Sequence, residues 1–495
     1  MNSVLYWNAV LLEVSRRDFT RGFVNSQNPG PIATSRAMAM VHIAIREALA
    51  LPNQAASSYY SPPPPPGGAL PPAGPARDKY LDDAVAGAAS GLLKKLYPGS
   101  VQYIEDAESF TSQAAFDAGQ VIAGFVFSDR DKDGAFKDPA GNPVAVSTGQ
   151  AKTIGYGDHR ADPYDAGQSR LGPRWGEVRH FAPPPLPAPP HAALDPYPGK
   201  ALQGTPGGYL PDDHYEADYK EVRDFGGVRS SSRSPEQQVI GVYWGYDGAN
   251  NLGIPPRLYN QIVRAFIKQK FGLAAASPAP AVPALSREQC ADLFAIVNCA
   301  MADAGIDAWH YKYLHNLWRP VAGIRNETDI AERDAFWAPL GAPQTNSAIG
   351  TKTPPFPAYP SGHATFGAAL YQVLRLYFKT ASGPIKMEEV LKFDKKAPPG
   401  PVAKEAMIFR SDELDGRSVD PDGSVRTPLD RPLGSFAQAV WENAVSRVYL
   451  GVHWRFDGLP DRKEAGQKIG GVALGLENGK NAWKDFKDRL LAPQP

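Results

Sequence analysis

The chain has 495 residues, with 52 basic and 52 acidic side chains, 43% apolar and 21% charged residues. Balanced charge excludes a nucleic-acid coat or a basic membrane binder, and no uninterrupted apolar run reaches the ~18 residues that span a bilayer. The 49 prolines and 47 glycines are spread along the chain, which implies long loops rather than wholesale disorder.

In chain order, residues 1–19 carry their positive charges after the apolar stretch and lack a small-residue cleavage site, so no secretory signal is expected. The location is left open, with release by a non-standard route as one expectation. Met38, His42 and Ile45 recur at three- and four-residue steps, which predicts a helix over 34–50 with Thr34 as its cap. Similar spacing predicts helices over 78–96, 104–127, 291–319, 362–378, 387–394 and 434–450. Alternating strand patterns are scarce. The expected fold is therefore mainly α, two stacked helix bundles with long Pro/Gly-rich loops.

Proline-rich stretches at 61–75, 182–190 and 277–284 punctuate the helices. Residues 129–215 read as one long loop, either functional or draped over the surface. A boundary near 232 divides an N-terminal helical domain (1–232) from a C-terminal bundle (233–495). No fixed-period repeat is present. Within the loop, Asp129, Asp131, Asp133 and Gly134 imitate the start of a calcium loop, but Ala140 stands where a bidentate glutamate is required, so a solvated acidic turn is expected. Cys290 and Cys299 lie about 13 Å apart along a helix, beyond disulfide reach, and read as buried thiols.

Three segments between 309 and 457 carry the chemistry. In Trp309–Pro320, Lys312 and Arg319 are seven apart, about 700° on one helix, so both would share a face and repel unless an anion lies between them. In Pro354–Thr365, prolines hold the approach extended, Ser361 can cap the helix that follows, and the Gly362 and His363 amides fall in its first turn. Such a turn suits an anion, Gly362 permits close approach, and His363 can exchange a proton there. In Ser446–Asp457, Arg447 and His453 converge only if the helix stops, and Gly451 is a suitable stop. A new helix beginning at His453 would let Asp457 accept from one imidazole nitrogen and leave the other free as a ligand or nucleophile. Together these residues suit a tetrahedral or trigonal-bipyramidal oxyanion.

The blocks K-x6-R-P, P-S-G-H and S-R-x5-H-x3-D, in this order, resemble the signature shared by vanadium-dependent haloperoxidases and the acid phosphatases of the type 2 phosphatidic acid phosphatase superfamily. Residues 242–264, 354–372, 442–457 and 35–48 extend the resemblance toward the chloroperoxidase branch. The resemblance implies vanadate as cofactor, with His453 binding vanadium and Lys312, Arg319, Ser361, Gly362 and Arg447 holding its oxygens. It implies that His363 relays a proton from hydrogen peroxide and that Lys312 polarises the peroxide. A halide, chloride or bromide, is oxidised to hypohalous acid, which an organic acceptor consumes. Asp247 would orient Arg447, and Trp309 and Phe356 would line the halide pocket. His310 and His315 match no site position and are expected to be structural. The alternative within the superfamily is a soluble acid phosphatase with His453 as nucleophile and His363 as general acid. Neither reading calls for nucleic acid or a membrane span.

Overall fold

The computed structural model describes residues 2–490 apart from 21, 23–25, 54–57, 59, 61–69, 151–153, 183–212, 273–283, 327–331, 348–351, 396–397 and 461–468. Most of the three proline-rich stretches named above lie outside the described residues.

The framework consists of α1 (Ser3–Asp18), α2 (Gly30–Ala50), α3 (Pro75–Leu96), α4 (Gln113–Arg130), α5 (Pro255–Phe271), α6 (Arg287–His315), α7 (Gly362–Phe378), α8 (Phe436–Tyr449) and α9 (Gly470–Leu490). Strands are confined, among the described residues, to two short antiparallel pairs, Ser147–Thr148 with Arg170–Leu171 and Met407–Phe409 with Arg431–Leu433. The mainly α expectation is met.

Several predicted boundaries move. The helix expected over 34–50 starts at Gly30, with Pro31 in its first turn, and Thr34 sits inside it, its hydroxyl donating to the Asn28 carbonyl. The helix expected over 104–127 is broken into Val101–Asp106 and α4. The buried Asp83 carboxylate accepts from the Thr111 and Ser112 amides at the break, and Ser112 caps α4. Long-range capping of this kind leaves little trace in local periodicity.

α2 packs on α3 and on α6, and α3 packs on α4; α6 also packs on α7 and α9, and α7 on α8. The 29-residue α6 is thus shared by both groups of helices, and one continuous cluster of buried apolar side chains runs through them. Close backbone approach sets the seat of α7. On α9, Gly471, Gly475 and Gly479 recur every four residues, and a Cβ there would come within 2.4, 2.2 and 2.6 Å of the Ser361, Thr365 and Ala369 carbonyl oxygens. α9 therefore presents bare backbone to α7 and holds the start of α7 in place.

A buried polar node ties α1, α2, α5 and α6 in register. Asn260 and Asn298 exchange amide hydrogen bonds of 2.8 and 3.0 Å, Asn8 donates to Asn260 at 3.2 Å, and Asn8 Nδ2 lies 3.0 Å from His42 Nε2. Burial holds His42 neutral by lowering its pKa to about 4. Asn260→Ala removes the acceptor of one Asn8 N–H and one Asn298 N–H and the donor to the Asn298 amide oxygen, so stability is expected to fall by about 2–4 kcal/mol, read as a lower thermal midpoint. An unchanged midpoint would show that the node contributes nothing to stability.

The acidic turn is not simply solvated, as the sequence suggested. Asp133 is buried and paired at 2.8 Å with both Arg36 and Arg130, while Asp131 pairs with Lys137 and Asp129 with Arg179. Arg36 comes from α2, far along the chain, and supplies the charge that makes burial of Asp133 tolerable. Cys290 and Cys299 are free and buried. No helix among the described residues is long and apolar enough to cross a membrane.

Candidate active site

Lys312 is on the last turn of α6, but α6 does not continue to Arg319. Asn316 adopts a left-handed conformation (φ 51°), its amide closes on the Lys312 carbonyl, and Arg319, in extended backbone, immediately precedes the new short helix Pro320–Arg325. The single-helix argument for Lys312 and Arg319 therefore fails. Tertiary contacts bring their charges close instead. Trp318 donates to the Gly157 carbonyl, and Ala358 to that of Leu317, so the 316–319 segment is laid between the long loop and the proline-rich approach.

Lys312 is buried, and its Nζ donates to the carbonyls of Pro357, Ala358 and Pro360 at 2.8, 3.0 and 2.6 Å. Burial and then Arg319 push its pKa well down. Three acceptor oxygens nevertheless require three N–H donors, which only the ammonium form carries. Lys312 thus anchors the approach to α7 and supplies a charge.

α7 begins as expected. Ser361 caps it by accepting from the Ala364 amide, and Gly362 and His363 occupy the first turn, whose N–H groups have no partner within the helix. Gly362 packs closely under Trp309: a Cβ there would lie 3.2 Å from the indole ring, tighter than an ordinary contact. The approach includes a cis Tyr359–Pro360 bond rather than being extended throughout.

α8 stops where predicted, at Leu450, with Gly451 left-handed (φ 70°) and a Cβ at that position only 2.4 Å from the Gly226 carbonyl oxygen. The chain then returns so that His453 Nε2 lies 2.9 Å from Arg319 Nη1. The new helix is a short 3-10 turn, Arg455–Asp457, rather than one beginning at His453. Asp457 still accepts from His453 Nδ1 at 2.7 Å and from the Trp454 amide at 3.0 Å. Burial, then Arg319 and Lys312, press the His453 pKa well below its usual value. A neutral ring with its one proton on Nδ1, facing Asp457, leaves Nε2 as a lone pair. That lone pair now accepts from Arg319.

Arg319 also donates to the Phe356 and Val452 carbonyls at 2.9 and 2.8 Å. Burial lowers its pKa to about 9, so it stays charged at neutral pH. Arg447 is held by Asp247, whose two oxygens accept from Nη2 at 2.9 and 2.8 Å. His363 Nε2 donates to the Gly245 carbonyl at 2.7 Å, which leaves Nδ1 as its proton acceptor. Burial and then Arg447 lower the His363 pKa to about 4.

Asp247, Trp309, Phe356, Gly362, His363, Arg447 and His453 all line one cavity of about 360 Å³. The Trp309 and Phe356 rings lie 4.6 Å apart, and Lys312 Nζ is 5.0 Å from the Phe356 ring centre. At this site two guanidinium nitrogens, Arg319 Nη2 and Arg447 Nε, are buried without a hydrogen-bond partner among the described residues. Buried donors of a cation are expensive to leave unmatched. Their presence beside a neutral imidazole fits a tetrahedral or trigonal-bipyramidal oxyanion. Vanadate offers acceptor oxygens to both guanidinium donors and a metal centre to the free ring nitrogen, and phosphate meets the same guanidinium donors.

Other contributors had no local signal. Leu171, from the long loop, lines the cavity; its amide donates to the Pro355 carbonyl, and its carbonyl accepts from Trp309 Nε1 and the Tyr313 hydroxyl. Asp162 accepts from the Lys352 and Thr353 amides at 2.7 Å, so the described part of the loop braces the strip carrying Phe356. His159 is buried with both ring nitrogens unpaired among the described residues, and burial, Arg319, Arg170 and Lys312 keep it neutral. His310 and His315 do not line the cavity; His315 packs against Tyr311 and Tyr359.

The profile described as Vanadium chloroperoxidase N-terminal domain matches residues 1–128, and that described as VCPO second helical-bundle domain matches residues 292–479. The chain is 33% identical to the vanadium chloroperoxidase of Curvularia inaequalis, over 93% of this chain and 80% of that protein. It shares its fold with the crystal structure of a bacterial vanadium-dependent iodoperoxidase (TM-score 0.63, 20% identity, covering 98% of this chain and 96% of that one). The same holds for a holo-type bacterial vanadium-dependent chloroperoxidase (TM-score 0.58, 14% identity, covering 94% and 95%).

Proposed function

The chain belongs to the vanadium chloroperoxidase family, and from that membership we infer that it is a vanadate-dependent enzyme oxidising halide with hydrogen peroxide to hypohalous acid. The observation that carries this reading is the neutral His453, its Nδ1 held by Asp457, beside the two unmatched guanidinium donors of Arg319 and Arg447. Vanadate, when bound, supplies Lewis-acid activation of peroxide without changing its own oxidation state.

His453 Nε2, whose lone pair accepts from Arg319 in the vanadate-free site, would hold the vanadium. Arg319 and Arg447 donate to oxyanion oxygens, joined by the Ser361 hydroxyl and the Gly362 amide. Lys312 adds positive charge from behind, polarising peroxide electrostatically, and fixes the approach to α7. Asp247 aims Arg447, and Asp457 fixes the tautomer of His453. His363 Nδ1 takes the proton that peroxide gives up. Trp309 and Phe356 strip water from the halide, which matters most for chloride. The acceptor of hypohalous acid is an organic molecule. All of the ligand-holding residues fall in 233–495, in keeping with a C-terminal bundle that carries the site and an N-terminal domain, 1–232, that helps to wall the cavity.

The test is halogenation of monochlorodimedone by metal-stripped protein in peroxide with chloride or bromide, with and without orthovanadate. Vanadate-dependent turnover is expected. No turnover with either halide, together with vanadate-inhibited hydrolysis of p-nitrophenyl phosphate, would move the assignment to the phosphatase.

The protonation of His363 gives a second check. Its folded pKa of about 4 lies below the ~6.5 of the unfolded chain, so the unfolded state binds this proton first. Its contribution disfavours the fold increasingly as pH drops from about 6.5 to 4. In vanadate-free protein the His363 ring resonances are expected to titrate near pH 4, and in the vanadate-loaded enzyme turnover is expected to decline in acid. A midpoint at or above 6 would contradict the buried, Arg447-facing environment.

A further inference from the structure

Glu413 lies in the short turn Asp412–Leu414, fully buried and outside the cavity lining. Its carboxylate holds two stretches of cavity wall at once. Oε1 accepts from the Tyr246 amide at 2.8 Å. Oε2 accepts from the Thr345 hydroxyl and from Arg426 Nη1, the latter at 2.6 Å. Thr345 lines the cavity, and Tyr246 joins Gly245 to Asp247.

The 245–247 turn needs such a holder. Tyr246 is left-handed (φ 53°), a conformation that costs a bulky residue free energy unless its surroundings enforce it. Its other end is tied to the same turn, because the Asp412 amide donates to the Tyr246 hydroxyl at 2.8 Å. Glu413 also packs against Gly245 closely enough that a Cβ there would lie 2.7 Å from Oε1. From this turn issue the Gly245 carbonyl that accepts from His363 and the Asp247 carboxylate that aims Arg447.

We propose that Glu413 is a positioning residue of the anion site, setting through one buried carboxylate where His363, Arg447 and Thr345 stand. The assignment rests on the reading of the site given above. Arg426 makes the burial tolerable: it pairs with Glu413, donates to the Thr345 hydroxyl at 2.8 Å, and is itself held by Asp420. Three donors converge on this carboxylate, so only an acceptor on both oxygens satisfies them. Glutamine has the same shape but directs an NH2 group at one set of donors.

The test compares E413Q with wild type and with Asn260→Ala, whose lesion is in the buried polar node, none of whose members lines the cavity. Orthovanadate binding to metal-stripped full-length protein is measured by calorimetry, alongside thermal midpoint and the kcat and KM for bromide. E413Q is expected to weaken vanadate binding roughly tenfold or more and to lower kcat by a similar factor, as supporting partners of a metal site do. Asn260→Ala is expected to lose stability while its vanadate Kd stays within about twofold of wild type. Wild-type Kd and kcat in E413Q would overturn the assignment, as would equal losses of binding in Asn260→Ala at the same fall in midpoint. If E413Q does not fold, Thr345→Val decides: a Kd raised about threefold or more supports the role, and an unchanged Kd overturns it. Failure of the wild-type chain to bind vanadate would overturn the reading of the site itself; wild-type binding with an unaffected E413Q overturns only the role of Glu413.

Discussion

His453→Ala is expected to abolish vanadate-dependent halogenation and to weaken vanadate binding about a hundredfold or more, since even the supporting partners of a metal ligand are worth 10–100-fold. The substitution removes the nitrogen lone pair and leaves the three cations in place. It also takes the Nδ1 donor from Asp457, a carboxylate that burial already pushes up to about 7 against the pull of Lys312 and Arg319. Asp457 would then protonate more readily, adding to the positive charge of the cage. Residual, weaker anion binding is therefore expected, of the kind three cations give to any phosphate-like ion. Asp457→Asn should lie between the two, weakening binding about 10–100-fold by loosening the ring and its tautomer. Equilibrium dialysis of metal-stripped protein against orthovanadate measures both. A His453→Ala protein that holds vanadate as tightly as wild type would remove His453 from the ligand role.

Lys312→Met should damage fold and activity together. The three carbonyls of Pro357, Ala358 and Pro360 lose their shared donor, and each buried acceptor left unmatched costs about 1–3 kcal/mol. Those carbonyls immediately precede the Ser361 cap, so the start of α7 loosens. The site also loses one buried positive charge, and electrostatic groups of this kind contribute on the order of 10²–10³ in kcat. A thermal midpoint lower by several degrees and a kcat reduced about a hundredfold or more are expected. Saturating orthovanadate should restore part of the stability, because a ligand that binds only the folded state stabilises it. If Lys312→Met kept the wild-type midpoint, the anchoring role would be wrong; if it kept wild-type kcat, the electrostatic role would be.

What the sequence by itself determined was local. Ser361, Gly362 and His363 were legible at the start of α7 because capping chemistry is written in adjacent residues. Gly451 was legible as the end of α8, and Asp457 as the partner of His453, because a left-handed stop and a four-residue step act over one turn. The helices near 34–50, 78–96, 362–378 and 434–450 were legible from their repeating apolar face, whereas α1, α5 and α9 were not singled out, and family motifs pointed to the cofactor. Asp247 as the partner of Arg447, 200 residues away, was implied by the family resemblance; the other pairings across the chain only the tertiary structure decided. Lys312 and Arg319 were predicted on one helix; Asn316 ends that helix, and docking of the following segment against the long loop reunites them. The same loop's Leu171 and Asp162 buttress the cavity, although nothing in their neighbourhood marks them. Asp133 looked solvated although Arg130 lies three residues before it, because its second partner, Arg36, is 97 residues away. Glu413 reads as one acidic residue in a polar turn until Tyr246 and Arg426 meet its two oxygens. Backbone caps and stops depend on neighbours in sequence, whereas the cost of burying a charge is set by which distant partner the fold brings to it.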